Sequence, residues 1–276
     1  MLLARSTLLL LLASARAALS FSLTASPFTA ARSSPNRLCA FSPVSPPLAS
    51  RSSLSHRLTT TMSTKEVKVG KTAADVSKNL GEYIEKLSAA AVTSRGRFTI
   101  GFSGGSLPKL ACGDIVQSST IAFDKWHVFF VDERCVPLDH SDSNFKSLQE
   151  QLLSKLSTPI PAAQVFAYDP SSSSPEDAAS KYAEQISAHV PAASEGGLPC
   201  FDLLLLGMGE DGHTASLFPG HALLGEGAKT VAHILDSPKP PPERITMTYP
   251  LIKAAKEVAV VAAGGGKATL LKEILG

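Results

Sequence analysis

None of the first 65 of the 276 residues is Asp or Glu; the first acid is Glu66. The same stretch carries six arginines, Arg5, Arg16, Arg32, Arg37, Arg51 and Arg57, among many Ser, Thr, Pro and Ala. An acid-free, Arg- and Ser-rich segment has the composition of an organelle transit peptide. It lacks hydrophobic periodicity and is broken by proline, which excludes a packed domain there. Cysteine is scarce too: Cys39, Cys112, Cys135 and Cys200, with no C-x-x-C pair. That argues against a zinc site or a disulfide framework and for free thiols. The histidines show no H-x-x-x-H or H-x-x-E-H spacing, so no metal site is expected. Around Ser216, in the segment 214–218, the hydrolase nucleophile motif G-x-S-x-G is missing.

The leader has inner structure. Arg5 precedes the apolar run Leu8–Ala13, and small residues follow at Ser14, Ala15, Ala17 and Ala18. This reads as a secretory signal, too short to anchor in a bilayer. Signal-like and transit-like segments in tandem resemble the bipartite leaders that deliver proteins to plastids; a single mitochondrial or plastid presequence is the alternative. We therefore expect residues 1–61 to be a leader, disordered or cleaved, and residues 62–276 to form the functional domain. Met62 lies where the acid-free region ends, so initiation there would give a cytosolic form. Residues 1–61 hold six of the 26 Lys and Arg and none of the 24 Asp and Glu, so the remainder carries a net charge of −4. Nothing in that balance suggests a nucleic-acid surface or, in the mature form, a membrane partner. The remaining length suits one well-buried domain.

Beyond residue 70, helical and strand patterns alternate. Apolar residues at three- and four-residue spacing predict a helix over 72–93. RFTIGF (97–102) and WHVFFV (126–131) read as buried strands, with a helix over 107–116 between them, Ser106 as its N-cap and Pro108 in its first turn. Helices over 143–156 and 175–189 flank a short strand at 165–168. The run at 201–206 is another buried strand, short strands are expected at 230–235 and 244–247 around a proline-rich turn, and 257–262 is a further strand before a helix that starts at Lys267. This order predicts an α/β fold: a Rossmann-like, mostly parallel sheet with helices on both faces. Polar, Gly-rich segments follow strands at 103–106, 132–144, 207–221 and 264–267. In such a sheet they gather at one edge, where ligands bind.

The most informative segment is DLLLLGMGEDGHTASLF, residues 202–218. A buried strand there delivers Gly209, Asp211 and His213 to its C-terminal end. Histidine exchanges a proton near neutral pH, and a carboxylate two residues away can orient it. Water activation by His213 is favoured over a covalent serine. The turn Ser103-Gly104-Gly105-Ser106 sits before a helix, where free amides and the helix dipole suit an anion. It matches neither the dinucleotide nor the P-loop pattern, so no nucleotide cofactor is indicated. Asp132, Glu133 and Arg134 follow directly on a strand; Arg134 suits a bidentate contact to phosphate or carboxylate. Arg244 and Lys267 are two more cations in this pattern.

Taken together, FSGGSLPKL, VDERCVPLDHSDSNF, LLGMGEDGHTASLFPG, RITMTYPLI and GGGKATLL resemble the 6-phosphogluconolactonase family, in that order across roughly residues 70–276. The resemblance implies a Rossmann-like sheet shared with glucosamine-6-phosphate isomerase/deaminases. It implies hydrolysis of 6-phospho-D-glucono-1,5-lactone, the second step of the oxidative pentose phosphate pathway, with no metal or other cofactor. It makes His213 the general base and Asp211 its supporting carboxylate. Gly104, Gly105, Ser106, Asp132, Arg134, Gly209, Arg244 and Lys267 become substrate-binding positions. The expected partner is a small sugar-phosphate lactone, and the expected state a monomer or weak homodimer. Against the deaminase pattern, no glutamate lies between His213 and Pro219, and Arg134 stands where an aromatic is expected. A silent sugar-phosphate-binding protein is the other alternative. The resemblance also implies a further strand and helix after the helix at Lys267; a chain ending at Gly276 is expected to lack them and to expose a sheet edge.

Overall fold

The computed structural model describes residues 8–14 and 65–275. The expectation of a disordered or cleaved leader falls outside them, except at Leu8–Ser14. Those residues form strand β1, and Lys65–Gly70 form β2. Helix α1 (Ala73–Arg95) starts at a capping box: Thr72 Oγ1 accepts from the Asp75 amide and the Asp75 carboxylate accepts from the Thr72 amide. It stops at Gly96, whose φ of +70° is the left-handed conformation that glycine adopts without strain. Val76, Leu80, Ile84 and Ala91 make its buried stripe.

Strands β3 (Phe98–Phe102), β4 (Trp126–Phe130), β6 (Val165–Phe166), β7 (Leu203–Gly207) and β10 (Glu257–Ala262) build the parallel part of a seven-stranded sheet ordered β2-β1-β10-β7-β3-β4-β6. β1 runs antiparallel to both β10 and β2, so the outer edge of β10 is paired. Helices cover both faces. Side chains alternate along β4 as pleating requires: Trp126, Val128 and Phe130 enter the layer of α1 and α2 (Leu107–Ile115). Phe129 enters the other layer, with α4 (Pro175–His189) and α5 (Tyr249–Ala254). The buried Trp126 indole N–H donates to Ser88 Oγ at 2.8 Å. Asp202, before β7, accepts from Arg95, Lys256 and the Thr99 amide. No helix among the described residues is long and apolar enough to cross a membrane.

The parallel sheet with flanking helices is the architecture the alternating pattern predicts. Four local features depart from it. The helix expected over 143–156 is α3 (Asn144–Leu148) followed by a π-helical turn at Gln149–Leu153, where the Ser154 amide reaches back five residues to the Gln149 carbonyl. Ser106 stands at the N-cap of α2, but its own backbone is already helical (φ −79°, ψ −9°) and its hydroxyl makes no cap bond. Helix α5 carries too few residues to show a period. Finally, β5 (Asp132–Arg134), β9 (Arg244–Met247) and β8 (Val231–Ile234) form a separate antiparallel sheet in the order β5-β9-β8. The chain crosses into it at Val131, whose amide donates to Phe102 and whose carbonyl accepts from Met247. This second sheet brings residues 110 apart in sequence to the same strand ends.

Candidate active site

Strands β3, β4, β7 and β10 are parallel, so the segments that leave their C-terminal ends converge. Asn144, beyond β4, lies against Gly104, beyond β3: a Cβ built on Gly104 would stand 1.8 Å from Asn144 Oδ1. The Asn144 amide nitrogen donates to the Asp132 carbonyl at 2.7 Å. Glu133 fixes this corner. It is almost fully buried and accepts from the amides of Arg134, Asn144 and Phe145 and from the Ser143 hydroxyl. Burial pushes its carboxyl up to about 7 against the pull of those amides.

The loop after β7 folds on itself. The Gly209 amide donates to the His213 carbonyl at 2.8 Å, and Thr214 Oγ1 donates to the Gly207 carbonyl at 2.8 Å. Gly207, Gly209 and Gly212 have the spacing of a dinucleotide-binding turn, but turns follow them rather than a helix, so no helix N-terminus is present to hold a pyrophosphate. Within the loop His213 Nδ1 lies 2.5 Å from Asp211 Oδ1. Burial raises the Asp211 carboxyl, yet the donors on His213 and Lys239 outweigh it and hold it down at about 2. With Asp211 ionised, the shared proton sits on Nδ1, which leaves Nε2 as the basic nitrogen. The ring packs on Phe218, with centroids 4.6 Å apart. Gly209 makes this pairing possible, because a Cβ there would stand 2.2 Å from His213 Nδ1 and 2.5 Å from Asp211 Oδ1.

The cations take different positions. Arg134 is partly exposed; its Nη1 donates to the Asp142 carbonyl at 2.5 Å and its buried Nε has no protein partner. Arg244 stands directly across from it in the β5–β9 register. Arg244 is only 3% exposed, and its guanidinium donates to the carbonyls of Lys239, Pro240 and Pro241 and to Ser216 Oγ. Burial, then the charge of Arg134, lower its pKa. Asp132 is buried as well and accepts from Ser216 Oγ at 2.8 Å. Lys267 ends the 3-10 turn Gly265–Lys267 that leads into α6 (Ala268–Leu275). That segment lies against the His213 loop: the space beside Gly212 is filled by Leu270, and the space beside Gly266 by Glu210.

The family model described as glucosamine-6-phosphate isomerases/6-phosphogluconolactonase matches residues 71–276. The chain belongs to this family. Among its relatives, a probable chloroplastic 6-phosphogluconolactonase 3 of Oryza sativa subsp. indica is 48% identical over 201 residues, covering 70% of this chain and 60% of that protein. The 6-phosphogluconolactonase of Rattus norvegicus is 45% identical, over 73% of this chain and 78% of that protein. The crystal structure of 6-phosphogluconolactonase from Thermotoga maritima superposes with a TM-score of 0.61 at 27% identity, covering 72% of this chain and 85% of that one. The chain thus spans about 60% of the length of the rice relative.

For a member of this family, the structure brings together the turn Gly104–Ser106, the Asp211–His213 pair, Arg134, and the segment holding Lys267. It places Asp132 and Arg244 beneath that surface as buried partners of Ser216. The sequence pattern does not mark Lys239, yet its Nζ lies 3.2 Å from Asp211 Oδ1 and 3.4 Å from His213 Nδ1. The available signal was its position: a lone cation in Ser-Pro-Lys-Pro-Pro-Pro, five residues before Arg244. No group of three or more His, Cys, Asp or Glu among the described residues could hold a metal ion. A separate open hollow of about 670 Å3, lined by His221, Glu226, His233 and Asp236 among others, shares no residue with this site.

Proposed function

We propose that the chain hydrolyses 6-phospho-D-glucono-1,5-lactone to 6-phospho-D-gluconate. The observation that carries this reading is the Asp211–His213 pair, held at a strand end with Nε2 free and cations around it. Water attacks the lactone carbonyl as Nε2 takes its proton. The tetrahedral oxyanion then collapses with cleavage of the ring C–O bond, and the proton passes to the departing ring oxygen. Amides of the first turn of α2 have no intrahelical partners and suit an anion at the Gly104–Ser106 turn. Arg134 and Arg244 oppose each other across two strands, an arrangement that is unfavourable unless an anion lies nearby. Arg134 keeps an unpaired Nε, and the segment that carries Lys267 lies against the His213 loop. A phosphate held there anchors the substrate remote from the reacting carbon.

The family also contains sugar-phosphate isomerases. The segment 214–219 offers no carboxylate to relay a proton from an amino-sugar ring, which favours the lactonase. The deciding experiment follows lactone consumption by the full chain against the spontaneous rate, with His213→Ala in parallel. Enzymatic hydrolysis that His213→Ala abolishes supports the assignment. Binding of 6-phosphogluconate without turnover would instead indicate a silent sugar-phosphate-binding protein.

The same reading places the protein in a plastid, with residues 1–61 as leader and a monomer or weak homodimer as product. The leader composition and the chloroplastic relatives support this. A signal segment followed by a transit segment accounts for the leader's two parts, and initiation at Met62 supplies a cytosolic form. Fractionation with N-terminal sequencing tests it: one compartment and one N-terminus would remove the second form.

A further inference from the structure

The proline-rich loop before β9 is gripped from beneath. Arg244 Nη2 donates to the Lys239 carbonyl at 2.8 Å and to the Pro240 carbonyl at 3.2 Å, and Nε donates to the Pro241 carbonyl at 3.0 Å. Ser237 Oγ donates to the same Lys239 carbonyl and accepts from the Lys239 amide. Pro240, Pro241 and Pro242 fix φ along the rest of the loop. A buried arginine and a run of prolines thus restrain the backbone that carries one lysine. That lysine reaches the reacting pair: its ammonium and His213 Nδ1 both approach Asp211 Oδ1, from 3.2 and 2.5 Å.

We propose that Lys239 is a positioning residue of this site: it shares the Asp211 carboxylate oxygen with His213, offsets the negative charge that the imidazole faces, and is itself held by Arg244. The inference rests on the hydrolytic reading above. Asp211 alone would orient the ring but would also favour the imidazolium, which is no base. A cation 3.4 Å from Nδ1 opposes that charge and leaves in place the Asp211 contact that orients the ring. The other charged groups around the loop are Glu210, which faces Gly266, Lys267 at the start of α6, and Arg244, whose guanidinium carbon is 5.7 Å from the Phe218 centroid. Lys239 and Asp211 are the two that touch the imidazole. Arg244 therefore acts through the loop, consistent with its burial and its occupied donors.

The test compares wild type, Lys239→Met and Lys239→Arg in the full chain by kcat/KM from pH 5 to 9, with thermal unfolding alongside. Loss of one charge at this distance in a half-exposed site moves the acid limb of Lys239→Met up by about one pH unit. The variant loses about tenfold in kcat/KM at pH 6 and regains most of it at pH 9, while Lys239→Arg keeps the wild-type limb. Tm stays within about 2 °C of wild type, since the side chain is half exposed. A Lys239→Met profile lowered equally at all pH values, or an unchanged profile, overturns the proposal. A wild-type chain without lactonase activity defeats the functional reading instead, so the two failures are distinguishable.

Discussion

Replacing Gly209 by alanine separates the geometry of the Asp211–His213 pair from its chemistry. The added Cβ would stand 2.2 Å from His213 Nδ1, 2.3 Å from Cε1 and 2.5 Å from Asp211 Oδ1. Ordinary contact needs about 3.4 Å or more, so the ring must retreat by more than an ångström. Phe218 packs against the ring and Lys239 stands at Nδ1, so retreat breaks the 2.5 Å bond to Asp211. Nδ1 then loses the acceptor that fixes its proton, and Nε2 leaves its attack position. Misplacement by about 1 Å costs on the order of 100-fold, or about 2.7 kcal/mol in the barrier. The fold is little affected, because the displaced atoms belong to rotatable side chains beside an exposed loop. Gly209→Ala is therefore expected to lose at least about 100-fold in kcat for lactone hydrolysis while its Tm falls by no more than a few degrees. Binding of 6-phosphogluconate by calorimetry should persist, since the proposed phosphate contacts lie elsewhere. A variant with more than half of wild-type kcat would show that the pair need not be held in this arrangement.

His213→Ala should lower kcat by about 10²–10⁴-fold, the usual loss for a general base, measured after subtraction of spontaneous hydrolysis. Glu133 titrates at about 7 in the fold against an ordinary value of 4.5. The fold therefore binds its proton more tightly than the unfolded chain, and the stability this contributes declines as pH rises from 4.5 through 7. Urea unfolding should show that decline in wild type and a flatter curve in Glu133→Gln, with the amide variant about 1–3 kcal/mol less stable at pH 5 because its NH₂ faces donors; parallel curves would contradict this. Asp202→Ala removes the acceptor shared by Arg95, Lys256 and Thr99 below β7, at the strand end opposite His213. It should cost about 1–3 kcal/mol in chemical denaturation with kcat unchanged; a large kcat loss would mean that the strand's position is set from this end.

What the sequence makes legible follows from where each interaction lies along the chain. Strand β7 and its loop can be read directly, because an apolar run, a stop at Gly207 and the i, i+2 spacing of Asp211 and His213 are local. The parallel sheet is equally readable, since β3, β4, β7 and β10 are near-continuous apolar runs separated by helical patterns. The second sheet is not. Asp132–Arg134 is three polar residues, and its identity as a strand comes only from pairing with Arg244–Met247. Arg244 shows the consequence. Its charge suggests a surface contact to phosphate, whereas its carbonyl partners at 239–241 exist only once the proline loop has folded over it. Lys239 is hidden for the same reason, its partner Asp211 lying 28 residues earlier in the chain.

These long-range contacts also explain how a site made of loops can hold a defined geometry. Loops are the mobile parts of most folds, and a base carried on one would wander. Here each strand-end segment is tied to a different one. Asn144 is pressed against Gly104 and bonded to the Asp132 carbonyl. Ser216, on the His213 loop, donates to Asp132 on β5, and its amide takes Thr246 of β9 as acceptor. Lys239 reaches back to Asp211 from a loop that Arg244 anchors. Leu270 fills the space beside Gly212. The ties run between loops, and those through Asn144, Asp132 and Ser216 pass through buried polar groups, so removing one of these leaves an unpaired donor or acceptor rather than a slightly looser surface. On this argument, Ser216→Ala should disturb activity although Ser216 is fully buried and touches no substrate. It leaves Asp132 without its hydroxyl donor and frees the middle of the His213 loop. The expected result is a fall in kcat larger than the fall in KM-independent binding of 6-phosphogluconate, with β7 and its hydrogen-exchange protection intact. If Ser216→Ala turned over the lactone at the wild-type rate, the position of His213 would have to be set within residues 207–214 alone.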